Sequence, residues 1–133
     1  MKSLITGRNL SKSYGSKLAL DNVNFEIQKG APVALVGPNG AGKTTLFSLL
    51  CGYIAPSMGE LEILGHKPGS AALFNKVSAL PQDAQLDPRF NIDKQLSFYA
   101  KLQGMGSKQS QIEALRVLDL VGLSEVAKNR AGD

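Results

Sequence analysis

Residues 37–44 read GPNGAGKT, and this stretch matches the pattern G-x-x-x-x-G-K-[ST] at every fixed position. Glycines leave the backbone free to curve around an anion, so that several main-chain N–H groups point at the same oxygens. An apolar run at residues 33–36 precedes the stretch, and residues 45–50 read as the start of a helix. This succession of strand, loop and helix is the context that the pattern requires. The sequence therefore predicts a site for a nucleoside triphosphate, and not a glycine-rich structural turn.

Individual positions of the stretch have separate predicted tasks. Lys43 is expected to reach the β- and γ-phosphates as a flexible positive charge, and the Thr44 hydroxyl is expected to coordinate Mg²⁺. Thr45 adds a hydroxyl near the α-phosphate. The other predicted nucleotide contacts of the loop are Gly37, Asn39, Gly40, Ala41 and Gly42.

Size and composition describe an ordinary globular protein. The chain has 133 residues, of which 43% are hydrophobic and 20% charged. No apolar run approaches the roughly 18 residues that span a bilayer, no secretory signal is recognisable, and the single cysteine, Cys51, cannot form an internal disulfide. We therefore expect a cytoplasmic location. The net charge of +4 comes from scattered basic residues, which favours a solvated surface over nucleic-acid binding.

Alternating side chains predict several strands. Residues 5–14 alternate loosely, residues 14–17 supply a turn, and residues 23–27 alternate between apolar and polar side chains. We therefore predict an antiparallel hairpin ahead of a buried strand at residues 33–36. Leu61 and Ile63 alternate with glutamates in another half-buried strand, and residues 76–80 predict a short buried strand that Pro81 ends.

Helical spacing dominates from about residue 91 onward. Two helix faces are predicted to be buried: Ile92, Leu96, Tyr99 and Ala100 on the first helix, and Ala114, Val117, Leu118 and Val121 on the second. Ser107 or Ser110 is expected to cap the second helix, and Ser110 with Glu113 forms a capping-box pattern. Gly122 is expected to end that helix.

Taken together, these residues resemble the ATP-binding subunit of ATP-binding-cassette (ABC) transporters over nearly the whole chain. The nine residues Gly-Pro-Asn-Gly-Ala-Gly-Lys-Thr-Thr at 37–45 are the form of the loop that this family uses. Tyr14 precedes the loop like the family's aromatic residue that stacks on adenine, although it also suits the end of a hairpin. Gln82, in Leu-Pro-Gln, resembles the family's glutamine that touches Mg²⁺ and the attacking water and faces the membrane partner; alone it reads as an ordinary loop residue.

The resemblance implies an α/β fold. This fold is part of a P-loop NTPase core of the ABC type, with an antiparallel β subdomain at the N-terminus and the start of a helical subdomain. Residues 1–89 are assigned to the β subdomain and core, and residues 90–133 to the helical subdomain. Neither a Leu-Ser-Gly-Gly-Gln-like signature nor four apolar residues followed by Asp-Glu occurs in the sequence. We therefore expect the parent domain to continue beyond residue 133, and this portion to be marginally stable or self-associating, because residues 33–36 would lack cover.

For the whole subunit, the resemblance implies ATP binding and hydrolysis coupled to transport. Residues 95–102 resemble exporters of the drug, lipid or polysaccharide type, which favours export. Lys43 and Gln82 are assigned to catalysis, and Thr44 and Gln82 to Mg²⁺. The implied partners are ATP, a membrane-embedded permease and a second ATP-binding subunit, with no nucleic acid, and the implied place is the cytoplasmic face of the membrane. The chain by itself is expected to bind nucleotide weakly and not to hydrolyse it.

Other classes of protein remain open. A soluble ABC-type ATPase of translation or DNA repair typically carries a second cassette or a coiled-coil insertion. A GTPase typically carries the guanine-reading pattern Asn-Lys-x-Asp, which is absent from this sequence, and a nucleotide kinase typically carries a basic lid. A chain that only binds nucleotide or acts as a scaffold is the third alternative.

Overall fold

The computed structural model describes residues 3–30 and 32–133. Contacts divide the chain into two compact units between Ala79 and Leu80. The helices and strands are β1 (Ser3–Tyr14), β2 (Lys17–Gln28), α1 (Lys43–Leu50), β3 (Met58–Ile63), α2 (Ile92–Leu102) and α3 (Ser107–Leu120). The bounds 1–89 and 90–133 stay a prediction; residues 1, 2 and 31 of the first range lie outside the described residues. Over the described ranges, no helix has both the length and the apolar character that crossing a membrane requires.

The first unit contains a three-stranded antiparallel sheet in the order β2-β1-β3. Tyr14 pairs with Lys17 across the turn between β1 and β2, so the predicted hairpin is confirmed. The strand predicted around Leu61 and Ile63 is also confirmed, because β3 pairs with β1 and both side chains are buried.

A small apolar core joins this sheet to α1. Leu10, Leu20 and Leu61, one from each strand, form a cluster with Leu49 of α1, and none of the four is more than 8% exposed. Burial of a leucine side chain contributes about 1.5–3 kcal/mol. The cluster therefore fixes α1, and with it the residues at its N-terminus, on the sheet.

Two of the predicted strands are wrong. Residues 33–36 and 76–80 have no strand structure, and Val36 and Leu80 are 90% and 88% exposed. A buried parallel strand is stable only between hydrogen-bonded neighbours that cover both faces. In the part of the chain that the structure describes, β2 and β3 are the edges of the sheet, and residues 33–36 pair with neither. The apolar pattern at 33–36 therefore marks a segment without partner strands in the described residues.

The second unit contains the two predicted helices. Gly122 follows α3 with a φ of 71°, which confirms the predicted end of that helix. On α2 the predicted buried face is wrong at Tyr99, which is 47% exposed, whereas the polar residues Gln95 and Ser97 are buried. On α3, Ala114 and Leu118 are buried as predicted, but Val117 and Val121 are exposed.

The predicted cap of α3 is also wrong. The residue before the helix is Gly106, and no side chain caps it. Ser110 lies within the helix and is fully buried; its hydroxyl donates to the carbonyl oxygen of Ser107 at 2.9 Å and lies 3.0 Å from the hydroxyl of Ser97. Because that hydroxyl is engaged between α2 and α3, it is not available to cap a helix. Glu113 pairs with Arg116 instead of with the helix start.

Candidate nucleotide-binding site

The candidate site consists of the loop at residues 37–42 and the N-terminus of α1. Gly40 and Gly42 have φ values of 86° and 83°, in the left-handed region that favours glycine. Gly42 is also closely packed: a Cβ there would lie 2.5 Å from the carbonyl oxygen of Ala19 and 2.7 Å from Cδ2 of Leu20. Gly42 therefore allows the start of α1 to approach β2 directly.

The side chain of Lys43 is hydrogen-bonded to the first residues of the loop. Its ammonium group donates hydrogen bonds to the carbonyl oxygens of Gly37, at 2.6 Å, and Pro38, at 2.7 Å. These oxygens belong to neutral groups, and none of the ion pairs found among the described residues includes Lys43. The positive charge at the loop is therefore uncompensated and can attract an anion.

The N-terminus of α1 adds main-chain donors. The helix has no side-chain cap and no acidic residue in its first turn. The N–H group of Leu46 donates to the carbonyl oxygen of Gly42 at 2.9 Å. The N–H groups of Lys43, Thr44 and Thr45 precede this bond and so have no partner within the helix. Together with the positive end of the helix dipole, they favour a phosphate at this point.

Thr44 offers a hydroxyl for Mg²⁺. It is exposed in the first turn of α1. Among residues 3–30 and 32–133, no cluster of three or more histidine, cysteine, aspartate or glutamate side chains is placed to hold a metal ion. Mg²⁺ typically takes only one or two protein ligands and completes its shell with phosphate oxygens and water. A single hydroxyl beside a phosphate loop therefore fits Mg²⁺ as one of its ligands.

Tyr14 lies at the end of β1 and is 49% exposed. The ammonium group of Lys12 lies over its ring, 5.4 Å from the ring centroid. Lys12 pairs in register with Leu20, whose side chain packs at Gly42. One strand pairing and one packing contact therefore connect the neighbourhood of Tyr14 with the loop.

Gln82 belongs to the second unit, whereas the loop belongs to the first. It is exposed in a turn that is closed by a 3.2 Å hydrogen bond from the N–H group of Ala84 to the carbonyl oxygen of Pro81. Its assignment to Mg²⁺ and the attacking water therefore stays a prediction.

The segment between Gln82 and α2 is fixed by a residue that the sequence analysis did not select. The carboxamide oxygen of Gln95 accepts from the N–H group of Asp87 at 2.7 Å, and its nitrogen donates to the carbonyl oxygens of Asp87 and Phe90 at 2.8 and 3.0 Å. Hydrogen bonds from the Arg89 side chain, and then from its N–H group, lower the pKa of Asp87 to about 2. A glutamine in a helix pattern reads as an exposed polar residue, so no signal in the sequence pointed to this role.

The fold and the loop together define a protein of the phosphate-loop class, in which a glycine-rich turn leads into a helix that begins at a lysine and packs on a sheet. A family model described as "ABC transporter" matches residues 20–133. The chain belongs to the ABC transporter family.

Several curated proteins are similar to this chain. The linearmycin resistance ATP-binding protein LnrL of Bacillus subtilis is 32% identical, covering 96% of this chain and 42% of that protein. The SkfA peptide export ATP-binding protein SkfE of the same organism is 35% identical, covering 97% and 54%. The Nod factor export ATP-binding protein I of Cupriavidus metallidurans is 33% identical, covering 100% and 45%. The chain spans about half the length of these relatives.

Solved structures show the same fold. An ATP-binding subunit of an ABC transporter superimposes with a TM-score of 0.79 at 23% identity, over 96% of this chain and 54% of that one. An ATP-binding cassette of an ABC transporter in its ADP conformation gives 0.77 at 21% identity, over 100% and 59%. These matches confirm the predicted α/β fold of a partial ABC-type P-loop core.

Proposed function

We propose that this chain is part of the ATP-binding subunit of an ABC transporter, which couples ATP binding and hydrolysis to transport across a membrane. The observation that carries the proposal is the uncompensated ammonium group of Lys43, held on the carbonyl oxygens of Gly37 and Pro38 beside the first N–H groups of α1, which have no partner within the helix. Membership of the ABC transporter family supports ATP as the ligand. Two of the relatives are named as export proteins and one as a resistance protein, which supports export.

Each residue of the site has a task in this proposal. The Lys43 ammonium group leaves the two carbonyl oxygens and donates to the β- and γ-phosphates, while the N–H groups of Lys43, Thr44 and Thr45 donate to phosphate oxygens. The Thr44 hydroxyl gives Mg²⁺ one ligand, and Mg²⁺ supplies neutralisation of the phosphate charge when bound. Phosphoryl transfer depends mainly on such positioning and charge neutralisation. The ring of Tyr14 stacks on adenine. Gln82 lies near Mg²⁺ and the attacking water and faces the membrane partner.

The proposed partners are a membrane-embedded permease and a second ATP-binding subunit, with the protein on the cytoplasmic face of the membrane. The printed descriptions of the relatives, as ATP-binding proteins of export and resistance systems, support this arrangement. They favour it over the alternative of a non-transport ATPase acting in translation or DNA repair.

A titration of the 133-residue chain with MgATP, followed by amide NMR signals, tests the site. We expect the largest shifts at residues 37–45. Lys43→Ala removes a charged donor to the phosphates, and since a hydrogen bond to a charged group is worth about 1.5–3 kcal/mol, affinity should fall at least about tenfold. The matched control is Lys76→Ala, which removes an exposed lysine of the same unit outside the loop.

The control should bind as the unaltered chain does. Equal affinity of the Lys43→Ala and Lys76→Ala variants, or shifts that are largest outside residues 37–45, would contradict the assignment of the site. MgATP that caused no shift at any concentration up to several millimolar would contradict nucleotide binding by this chain.

A further inference from the structure

Lys12 connects β1 with the segment between α1 and β3. Its ammonium group donates a hydrogen bond of 2.8 Å to the carbonyl oxygen of Ala55, in the connection between α1 and β3. The same group lies 5.4 Å from the ring centroid of Tyr14. Among the described residues, the ion pairs do not include Lys12. Its charge is therefore directed at a carbonyl oxygen and an aromatic face.

The backbone next to Tyr14 is fixed by the same connection. The N–H group of Ser57 donates to the carbonyl oxygen of Ser11 at 2.9 Å, and the N–H group of Ser13 donates to the Ser57 hydroxyl at 3.0 Å. Three consecutive residues of β1, at positions 11–13, thus bind residues 55–57. These bonds hold the main chain up to Tyr14 but leave the torsions of its side chain free to turn.

The ammonium group restricts that remaining freedom. A cation over an aromatic ring is attracted to the negative potential of the ring face, and this attraction favours the ring orientation that presents a face to it. Because the ammonium group is itself bound to Ala55, one face of Tyr14 is held toward residues 55–57. Tyr14 is 49% exposed. Because the Lys12 ammonium group lies over one face of the ring, a flat ligand would stack on the other face.

We propose that Lys12 is a positioning residue for the base of the nucleotide: it holds one face of the Tyr14 ring so that the other face receives the purine. The proposal rests on the proposed function, because it requires a nucleotide whose phosphates lie at residues 37–44. A base stacks best on a ring whose plane is already set, since the ring then loses less rotational freedom when the ligand binds.

Two magnesium-bound ligands separate base binding from phosphate binding. MgATP carries both parts, whereas magnesium tripolyphosphate carries only the phosphates. In the 133-residue chain, Lys12→Met keeps most of the aliphatic stem and removes the charge. We expect it to lower the affinity for MgATP about three- to tenfold, within the range of a cation–π contact, and to leave the affinity for tripolyphosphate unchanged. Lys12→Arg keeps a cation and should restore the affinity for MgATP to within about twofold.

An equal loss of affinity for both ligands in Lys12→Met would show a general structural role and overturn the proposal. An unchanged affinity for MgATP would also overturn it. If amide spectra show that Lys12→Met does not fold, Lys12→Gln, which keeps a donor for Ala55 without a charge, takes its place with the same expected result. Tyr14→Ala should reduce the advantage of MgATP over tripolyphosphate further than either variant, and an unchanged advantage would also overturn the proposal. Lys43→Ala should lower the affinity for both ligands. An unchanged affinity in this variant would therefore show that the proposed phosphate site is wrong, independently of the Lys12 variants.

Discussion

Alanine substitutions at Gly42 and Gly40 test how the phosphate loop is attached to the sheet. Both glycines have nearly the same backbone conformation, with φ values of 83° and 86°. Their surroundings differ: a Cβ at Gly42 would lie 2.5 Å from the carbonyl oxygen of Ala19, whereas a Cβ at Gly40 would meet nothing within 4 Å. The pair therefore separates the cost of the backbone conformation from the cost of the clash.

The expected magnitudes follow from these two terms. A non-glycine residue in the left-handed region costs about 1–2 kcal/mol, and both variants carry this cost. Extra atoms forced into a packed site cost about 1–3 kcal/mol more. The atom that the new Cβ would meet belongs to the main chain of β2, which is paired with β1, so it cannot move away without disturbing the sheet. Gly42→Ala should therefore lower the free energy of unfolding by about 2–5 kcal/mol, and Gly40→Ala by about 1–2 kcal/mol.

Urea unfolding, followed through amide NMR signals of β1 and β2, measures this difference in the first unit alone. These signals are preferable to an average over the chain because residues from Leu80 onward form a separate unit. Equal loss of stability in the two variants would refute the reasoning, since it would mean that the loop is not held against β2 at Gly42. A larger loss for Gly40→Ala would refute it as well.

Two other predictions concern the core and an exposed ion pair. Leu49 is 1% exposed, whereas Phe47 of the same helix is 57% exposed. In urea unfolding, Leu49→Ala should therefore destabilise the first unit by about 2–5 kcal/mol, and Phe47→Ala by less than about 1 kcal/mol. Similar losses of stability in the two variants would contradict the assigned core. The pKa of Asp87 is lowered from its ordinary value of 3.8 to about 2 by hydrogen bonds from the side chain of Arg89 and then from its N–H group. The stabilisation from this pair is therefore present above about pH 4 and is lost as the pH falls through about 2. Arg89→Ala should raise this pKa in a carboxyl-carbon NMR titration while leaving it below 3.8, because the N–H donor remains; an unchanged pKa would show that the side-chain contact is not formed in solution.

Local patterns predicted the parts of the structure whose partners lie nearby. The hairpin of β1 and β2, the start of α1 and the end of α3 at Gly122 all depend on turn residues and periodicity within a few positions. The turn at 37–42 was predicted for the same reason, since Gly40 and Gly42 act through their own main-chain conformation. The residues that determine these features lie within a few positions of them in the sequence.

The features that were predicted wrongly depend on what a residue packs against. Residues 33–36 have the composition of a buried strand, yet the described residues supply no partner strands for them. Ser110 has the pattern of a helix cap, but its hydroxyl instead lies between two helices, beside that of Ser97. The hydrogen bonds from Lys12 to Ala55 and from Gln95 to Asp87 and Phe90 were not predicted because their acceptors are backbone carbonyl groups. Hydrogen bonds to the main chain leave little trace in the pattern of side chains.

The contacts of Lys43 raise the question whether they compete with a nucleotide or prepare for it. A ligand must displace two hydrogen bonds to Gly37 and Pro38, and since the net value of such a bond is about 1 kcal/mol, or up to about 3 for a charged donor, the loss is a few kcal/mol. The same bonds hold the loop closed before a ligand arrives. Ordering a free loop of about six residues at the moment of binding costs about 1–2 kcal/mol for each residue, which sums to more than the two bonds together. Because phosphate oxygens would replace the displaced acceptors with charged ones, the closed loop favours anion binding on balance, and in the proposed function Lys43 both shapes the free site and binds the phosphates.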